Sequence, residues 1–143
     1  MLFRSGVEVV VEPFAADLER GGLTASAVRT AVERQLRTAG IPLYPSQRSN
    51  PSAAQPYLYV AVTGLSFDEG KAWAVALRVE LRQSVKSAVT ESRIVDAVTW
   101  DQHSLLVLPA QQVPDLRTEI ASLVTTFVDD WRAVHTTPGA SPR

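Results

Sequence analysis

"KAWAVALRVELRQSV", residues 71–85, is the stretch on which the fold turns. Trp73, Val75, Leu77, Val79 and Leu81 occupy every second position, with Arg78, Glu80 and Arg82 between them. Successive side chains of an extended chain point to opposite sides. The alternation therefore predicts a strand with one apolar face toward a core and one polar face turned away from it. Just before it, "YLYVAVTGL" (57–65) reads as a second strand with apolar groups on both faces. The short, glycine-containing "FDEGK" between the two has the make-up of a hairpin connection. After the polar turn "KSAVTE", a third strand at about 92–103 would pair back.

Further out, "VEVVVEP" (7–13) is β-branched and predicts a buried strand ended by Pro13. "FAADLERGGL" follows as a loop, with Gly21 and Gly22 in its tight part. "LTASAVRTAVERQLRTAG" (23–40) carries the marks of a helix. The Thr24 hydroxyl is an N-cap acceptor, and Leu23 and Val28 take the positions of a hydrophobic staple. Val28, Ala31, Val32, Leu36 and Ala39 form the inward stripe, and Arg29, Glu33 and Arg37 an i, i+4 ladder. Gly40 supplies the left-handed residue that ends the helix. "IPLY" (41–44) reads as a short edge strand limited by Pro42. "PSQRSNPSAAQP" (45–56) reads as a mobile polar connector long enough to serve as a binding loop.

A long amphipathic helix at 114–135 closes the chain. Leu116, Ile120, Leu123, Val124, Phe127, Val128 and Trp131 repeat at helical spacing, and Pro114 suits the first turn. "TTPGASPR" (136–143) is expected to be a disordered tail, leaving one domain over 1–135. The order β-α-β-β-β-β-α predicts an α+β two-layer sandwich. In it, two helices cover one face of a largely antiparallel sheet of four or five strands, and the other face stays open or meets a partner.

Composition limits the function. The chain has 143 residues, 45% apolar and 20% charged, with a net charge of −1. Lys and Arg never occur side by side, which argues against nucleic acid or an anionic bilayer as the main partner. The absence of cysteine removes thiolate chemistry and disulfides. No apolar run approaches the ~20 residues of a membrane helix, and the first residues do not read as a signal peptide.

The residues with the look of chemistry are few. In "TWDQH" (99–103), period-two alternation sends Val98 and Trp100 toward the helices and Thr99, Asp101 and His103 to the opposite face. Asp101 could orient His103 as a general base, but no G-x-S-x-G, H-E-x-x-H or glycine-rich phosphate loop accompanies the dyad. The alternative is a solvated strand face on which Asp101 meets Arg78 or Arg82. Asp129 and Asp130 are consecutive in a helix, point ~100° apart and read as helix surface. Nothing places His135 near His103, so neither a metal site nor a cofactor is expected. Tyr57 and Tyr59 share one strand face. Together with Arg78, Glu80 and Arg82 they form the candidate binding row if that face is the open one, since aromatic groups anchor many interfaces.

The succession "VEVVVE", "GLTASAVRTAVERQLRTAGI", "PYLYVAV", "ALRVELRQSV", "VTW" and "LVTTFVDDW" resembles a family of uncharacterised bacterial proteins usually made with an export signal. More loosely, the element order is similar to that of envelope modules such as the TolB amino-terminal domain and lipoprotein regulators of the LpoB type. This resemblance implies an exported, periplasmic, non-enzymatic domain that docks other proteins, with homodimerisation one form of docking. It brings no catalytic residue with it. The preferred reading is thus a protein-binding or scaffolding domain using the open sheet face or the 45–56 loop. A small hydrolase-like enzyme using Asp101 and His103 is the alternative. A carrier holding an apolar ligand in a void between sheet and helices is a third.

Overall fold

The computed structural model describes residues 6–135, so the tail at 136–143 falls outside the described residues. Four strands, β1 (Glu8–Val11), β2 (Tyr57–Phe67), β3 (Ala72–Lys86) and β4 (Arg93–Pro109), lie side by side in sequence order. β1 runs parallel to β2, and the other neighbours are antiparallel. The alternation in β3 is realised as a face: Trp73, Val75, Leu77, Val79 and Leu81 are all buried. Leu58, Val60 and Val62 of β2 lie beside them on the same side.

That side is covered by α1 (Ala16–Arg20), α2 (Ala25–Thr38) and α3 (Leu116–His135). Their Leu18, Val28, Val32, Leu36, Leu116, Ile120, Val124, Phe127 and Val128 join the sheet residues in one core. Each Leu or Phe fully buried there contributes about 1.5–3 kcal/mol relative to exposure. The molecule is the expected α+β fold, built on a mixed four-stranded sheet that stays open.

α2 begins and ends where its sequence says. Thr24 Oγ1 accepts the Ala27 amide at 3.2 Å, and Leu23 and Val28 are both buried beneath the cap. Gly40 takes φ +82°, which allows the Ile41 amide to reach back to the Leu36 carbonyl at 3.0 Å. Arg29 pairs with Glu33 at 3.5 Å. Ala31, expected in the inward stripe, is exposed; Val28, Val32 and Leu36 suffice to fill the contact.

Other expectations need correction. The loop at 14–23 contains α1, a single turn held in place by the fully buried Leu18. Residues 41–44 form no strand; Leu43 makes one parallel bridge to Val7, flanked by Val7 N–H to Pro42 O and Tyr44 N–H to Val7 O, both 3.0 Å. Pro42 has no N–H with which to extend the ladder. The 45–56 loop is tied down rather than loose. Asn50 is 6% exposed, donates to Gly6 O at 3.0 Å and accepts the Ser52 amide at 2.9 Å. The Ala54 carbonyl accepts from Ser84 N–H, and the Ala53 carbonyl accepts from Arg93 Nη2. β4 runs on to Pro109, and Pro114 lies in a 3-10 turn, Ala110–Asp115, ahead of α3 rather than in its first turn.

Candidate functional site

The register of β2 on β3 pairs Tyr57 with Arg82, Tyr59 with Glu80 and Ala61 with Arg78. All five candidate binding residues thus share the sheet face away from the helices. Glu80 is 5% exposed there, although it sits on the outer face. Arg82 covers it, with Nη2 at 2.6 Å and Nε at 2.8 Å from Oε1, and Arg78 approaches Oε2 at 3.5 Å. The Arg82 guanidinium also lies 4.2 Å from the centre of the Tyr59 ring, a cation–π contact. Tyr59 donates to Glu12 Oε1 at 2.5 Å, and Tyr57 donates to Asp96 Oδ1 at 3.0 Å. Burial, followed by the Asp96 hydrogen bond, raises the Tyr57 phenol above its ordinary pKa; for Tyr59 the Glu12 bond leads and burial follows. The row is a preformed network whose side chains are held by one another.

Asp101 and His103 occupy the same face on β4, opposite Glu80 and Arg78. Their side chains meet at 3.3 Å, and each is more than half exposed, so neither is held in a water-excluded site. Asp101 therefore pairs with His103 rather than with Arg78 or Arg82. The parity expected for the preceding residues fails. A register shift at Leu81/Arg82 leaves Thr99 without a directly paired residue on β3 and sets Val98 opposite Arg82. Val98 consequently lies on the open face, 47% exposed. Thr99 turns the other way, accepting from Gln83 Nε2 at 2.8 Å and donating to Leu81 O at 3.3 Å. A bulge adds one residue to a strand and exchanges the two faces beyond it.

Beyond the polar row, the open face becomes apolar. Leu65 and Phe67 of β2 are 69% and 44% exposed, and Leu105 and Val107 of β4 are 79% and 71% exposed. The pairings Leu65–Ala74–Val107 and Ala76–Leu105 place them across the short alanines of β3. A shallow apolar tract results, joined at one end to the Tyr–Arg–Glu row. These residues were outside the sequence-derived site, although the unbroken apolar run "LLVL" (105–108) after His103, which puts apolar groups on both faces of a strand, carried the signal.

A second concave feature lies on the helix side, where α3 leaves the end of the sheet. Trp100, Phe127, Trp131 and His135 line a cleft of about 320 Å³, closed by Gln83 and Thr99 on the sheet and by Ser52 and Pro56 of the 45–56 loop. Trp100 meets Phe127 edge-on at 5.1 Å, and Trp131 stacks on His135 at 4.0 Å. The Trp100 indole N–H donates to Asp130 Oδ2 at 2.8 Å. Trp131, expected in the core, is only half-buried at the cleft wall. The space is open to solvent rather than the enclosed void a carrier would need. Among the described residues, no three His, Asp or Glu side chains converge as a metal site. No described helix is long and apolar enough to cross a membrane.

Fold and surface together define a two-layer α+β domain with an uncovered sheet face. No family model matches the chain, and no curated protein does. Among solved structures it is similar to a dodecameric PelC variant from Paraburkholderia phytofirmans, with 19% identity and a TM-score of 0.50 over 87% of this chain and 89% of that one. A chain described as a candidate lipoprotein from Caulobacter crescentus is 16% identical, with a TM-score of 0.41 over 94% of this chain and 93% of that one. At 19% identity, the first likeness establishes a shared fold.

Proposed function

We propose that this chain is a non-enzymatic protein-binding or scaffolding domain of the bacterial envelope that docks its partner on the open sheet face. The observation that carries the reading is the tract of Leu65, Phe67, Leu105 and Val107, left uncovered beside a fixed polar row. Apolar side chains gathered on one surface and rimmed by polar groups are the usual make-up of a docking site. Tyr57, Tyr59, Arg78, Glu80 and Arg82 form that rim, and their mutual bonds reduce the side-chain entropy lost on binding. Around the polar row the carboxylates of Glu12, Glu80, Asp96 and Asp101 outnumber the guanidiniums of Arg78 and Arg82, so a complementary partner presents a basic rim. The envelope assignment rests on the resemblance to exported bacterial families. PelC is described as a dodecamer, which makes a second copy of this chain one partner worth testing.

The test is site-directed photocrosslinking in native cells from position 105, with position 34 on the exposed side of α2 as the reference. The expected result is a discrete adduct from 105, lost in Val107→Asp, together with fractionation of the native protein to the envelope. Crosslinking no stronger from 105 than from 34, or a purely cytoplasmic protein, would reject the proposal.

A further inference from the structure

We infer that the aromatic cleft at the end of α3 binds an organic cation, an ammonium group carried on a short apolar stem. The inference is independent of the open sheet face, which lies on the opposite side of the sheet. Four observations support it. The cleft is lined by Trp100, Trp131 and Phe127, with His135 stacked on one face of Trp131, and aromatic ring faces carry the negative end of a quadrupole. Among its described lining residues none is Lys or Arg, so its one permanent formal charge is the carboxylate of Asp130. That carboxylate is held at the mouth by the Trp100 indole N–H, which occupies Oδ2 and leaves Oδ1 for a ligand. Finally, the neutral polar groups of the sheet wall are already engaged, Gln83 with Thr99 and Thr99 with the Leu81 carbonyl.

An anionic ligand would face the Asp130 carboxylate, with the His135 imidazole as the only basic group among the described lining residues. A neutral apolar ligand would gain nothing from the exposed carboxylate. A cation satisfies the rings and the carboxylate together, and about 320 Å³ accommodates a group of that size. Trp131 and Trp100 come from elements far apart in the chain, so the cleft exists only in the folded domain. The ammonium group can come from a free quaternary or primary amine or from a lysine side chain of a protein; the chemistry is shared.

The experiment is an NMR titration of the full chain, following the three indole N–H signals. The probes are choline, its uncharged isostere with tert-butyl in place of trimethylammonium, and a blocked lysine amide. Trp73 is 6% exposed in the core and acts as an internal reference. The expected result is that choline moves the Trp100 and Trp131 signals and leaves Trp73 in place, with the isostere weaker by roughly tenfold. Asp130→Asn, which keeps an oxygen for the indole, is expected to weaken choline by a similar factor, whereas Asp129→Asn removes one negative charge equally and leaves binding unchanged. Binding of the lysine amide at least as tight as choline assigns the ligand to a partner's side chain; choline alone assigns it to a free amine. If neither cation moves the two signals, if the isostere binds as well as choline, or if Asp129→Asn and Asp130→Asn act alike, the inference is wrong.

Discussion

Glu80 shows what one position on an alternating strand can conceal. Its place between Val79 and Leu81 marks it as outward-facing, which is correct, yet Arg82 and Arg78 close over it until 5% of it is exposed. Glu80→Ala is expected to cost about 1–2 kcal/mol in urea unfolding, because the hydrogen-bonded carboxylate is removed while the partly exposed arginines regain water. Asp101→Ala, in an exposed pair, should change stability by less than about 0.5 kcal/mol. The tyrosines carry a second prediction. Both phenols have raised pKa values in the folded protein, so the folded state holds their protons more tightly than the unfolded state does. Their contribution is complete below the ordinary phenol value of about 10 and is lost as pH rises through the folded values. Melting temperature should therefore fall more steeply above that pH in the parent chain than in a Tyr57→Phe, Tyr59→Phe double variant.

At the level of elements, helix ends and strand contacts obey local rules wherever the backbone is regular. Thr24→Ala removes the side-chain acceptor of the Ala27 amide at the α2 N-terminus, leaving Glu19 Oε2 on the Ala25 amide, and is expected to cost about 1 kcal/mol by urea unfolding. Gly64 of β2 faces the core beneath the Trp73 ring. A methyl group there would lie 3.0 Å from two ring atoms and 3.3 Å from Leu18. Gly64→Ala should therefore cost about 1–3 kcal/mol by displacing the indole, with a change in near-ultraviolet circular dichroism to report it. The bulge opposite Thr99 is the element-scale feature that the sequence concealed. Alternation counts residues evenly, and neither Val98 nor Thr99 is a glycine that would flag an extra one. The strand assumed for 41–44 failed for the opposite reason: one proline outweighs the β propensity of its neighbours when the segment is only four residues long.

For the whole molecule, the decisive contrast is between the two sheet faces. Leu77→Ala, on the covered face, is expected to lose about 2–5 kcal/mol. Leu105→Asp, on the uncovered face, should leave unfolding within about 0.5 kcal/mol of the parent chain. If the face docks a second copy, the same substitution shifts sedimentation toward the monomer. A loss of stability at Leu105 as large as that at Leu77 would mean the face is structural core.

The sequence by itself determined the α+β class, the inward face of β3, both ends of α2 and the grouping of Tyr57, Tyr59, Arg78, Glu80 and Arg82. Each of these follows from spacing within one element or from simple pairing of adjacent strands, where period and propensity act over a few residues. Only the tertiary structure decided that Glu80 is buried, that Val98 and Thr99 exchange faces, that the 45–56 loop is anchored through Asn50, and that Trp100 meets Asp130. Those features depend on register shifts and on contacts such as Asn50 with Gly6 and Trp100 with Asp130, 44 and 30 positions apart. Such contacts are fixed by how the layers pack, and no local periodicity records them.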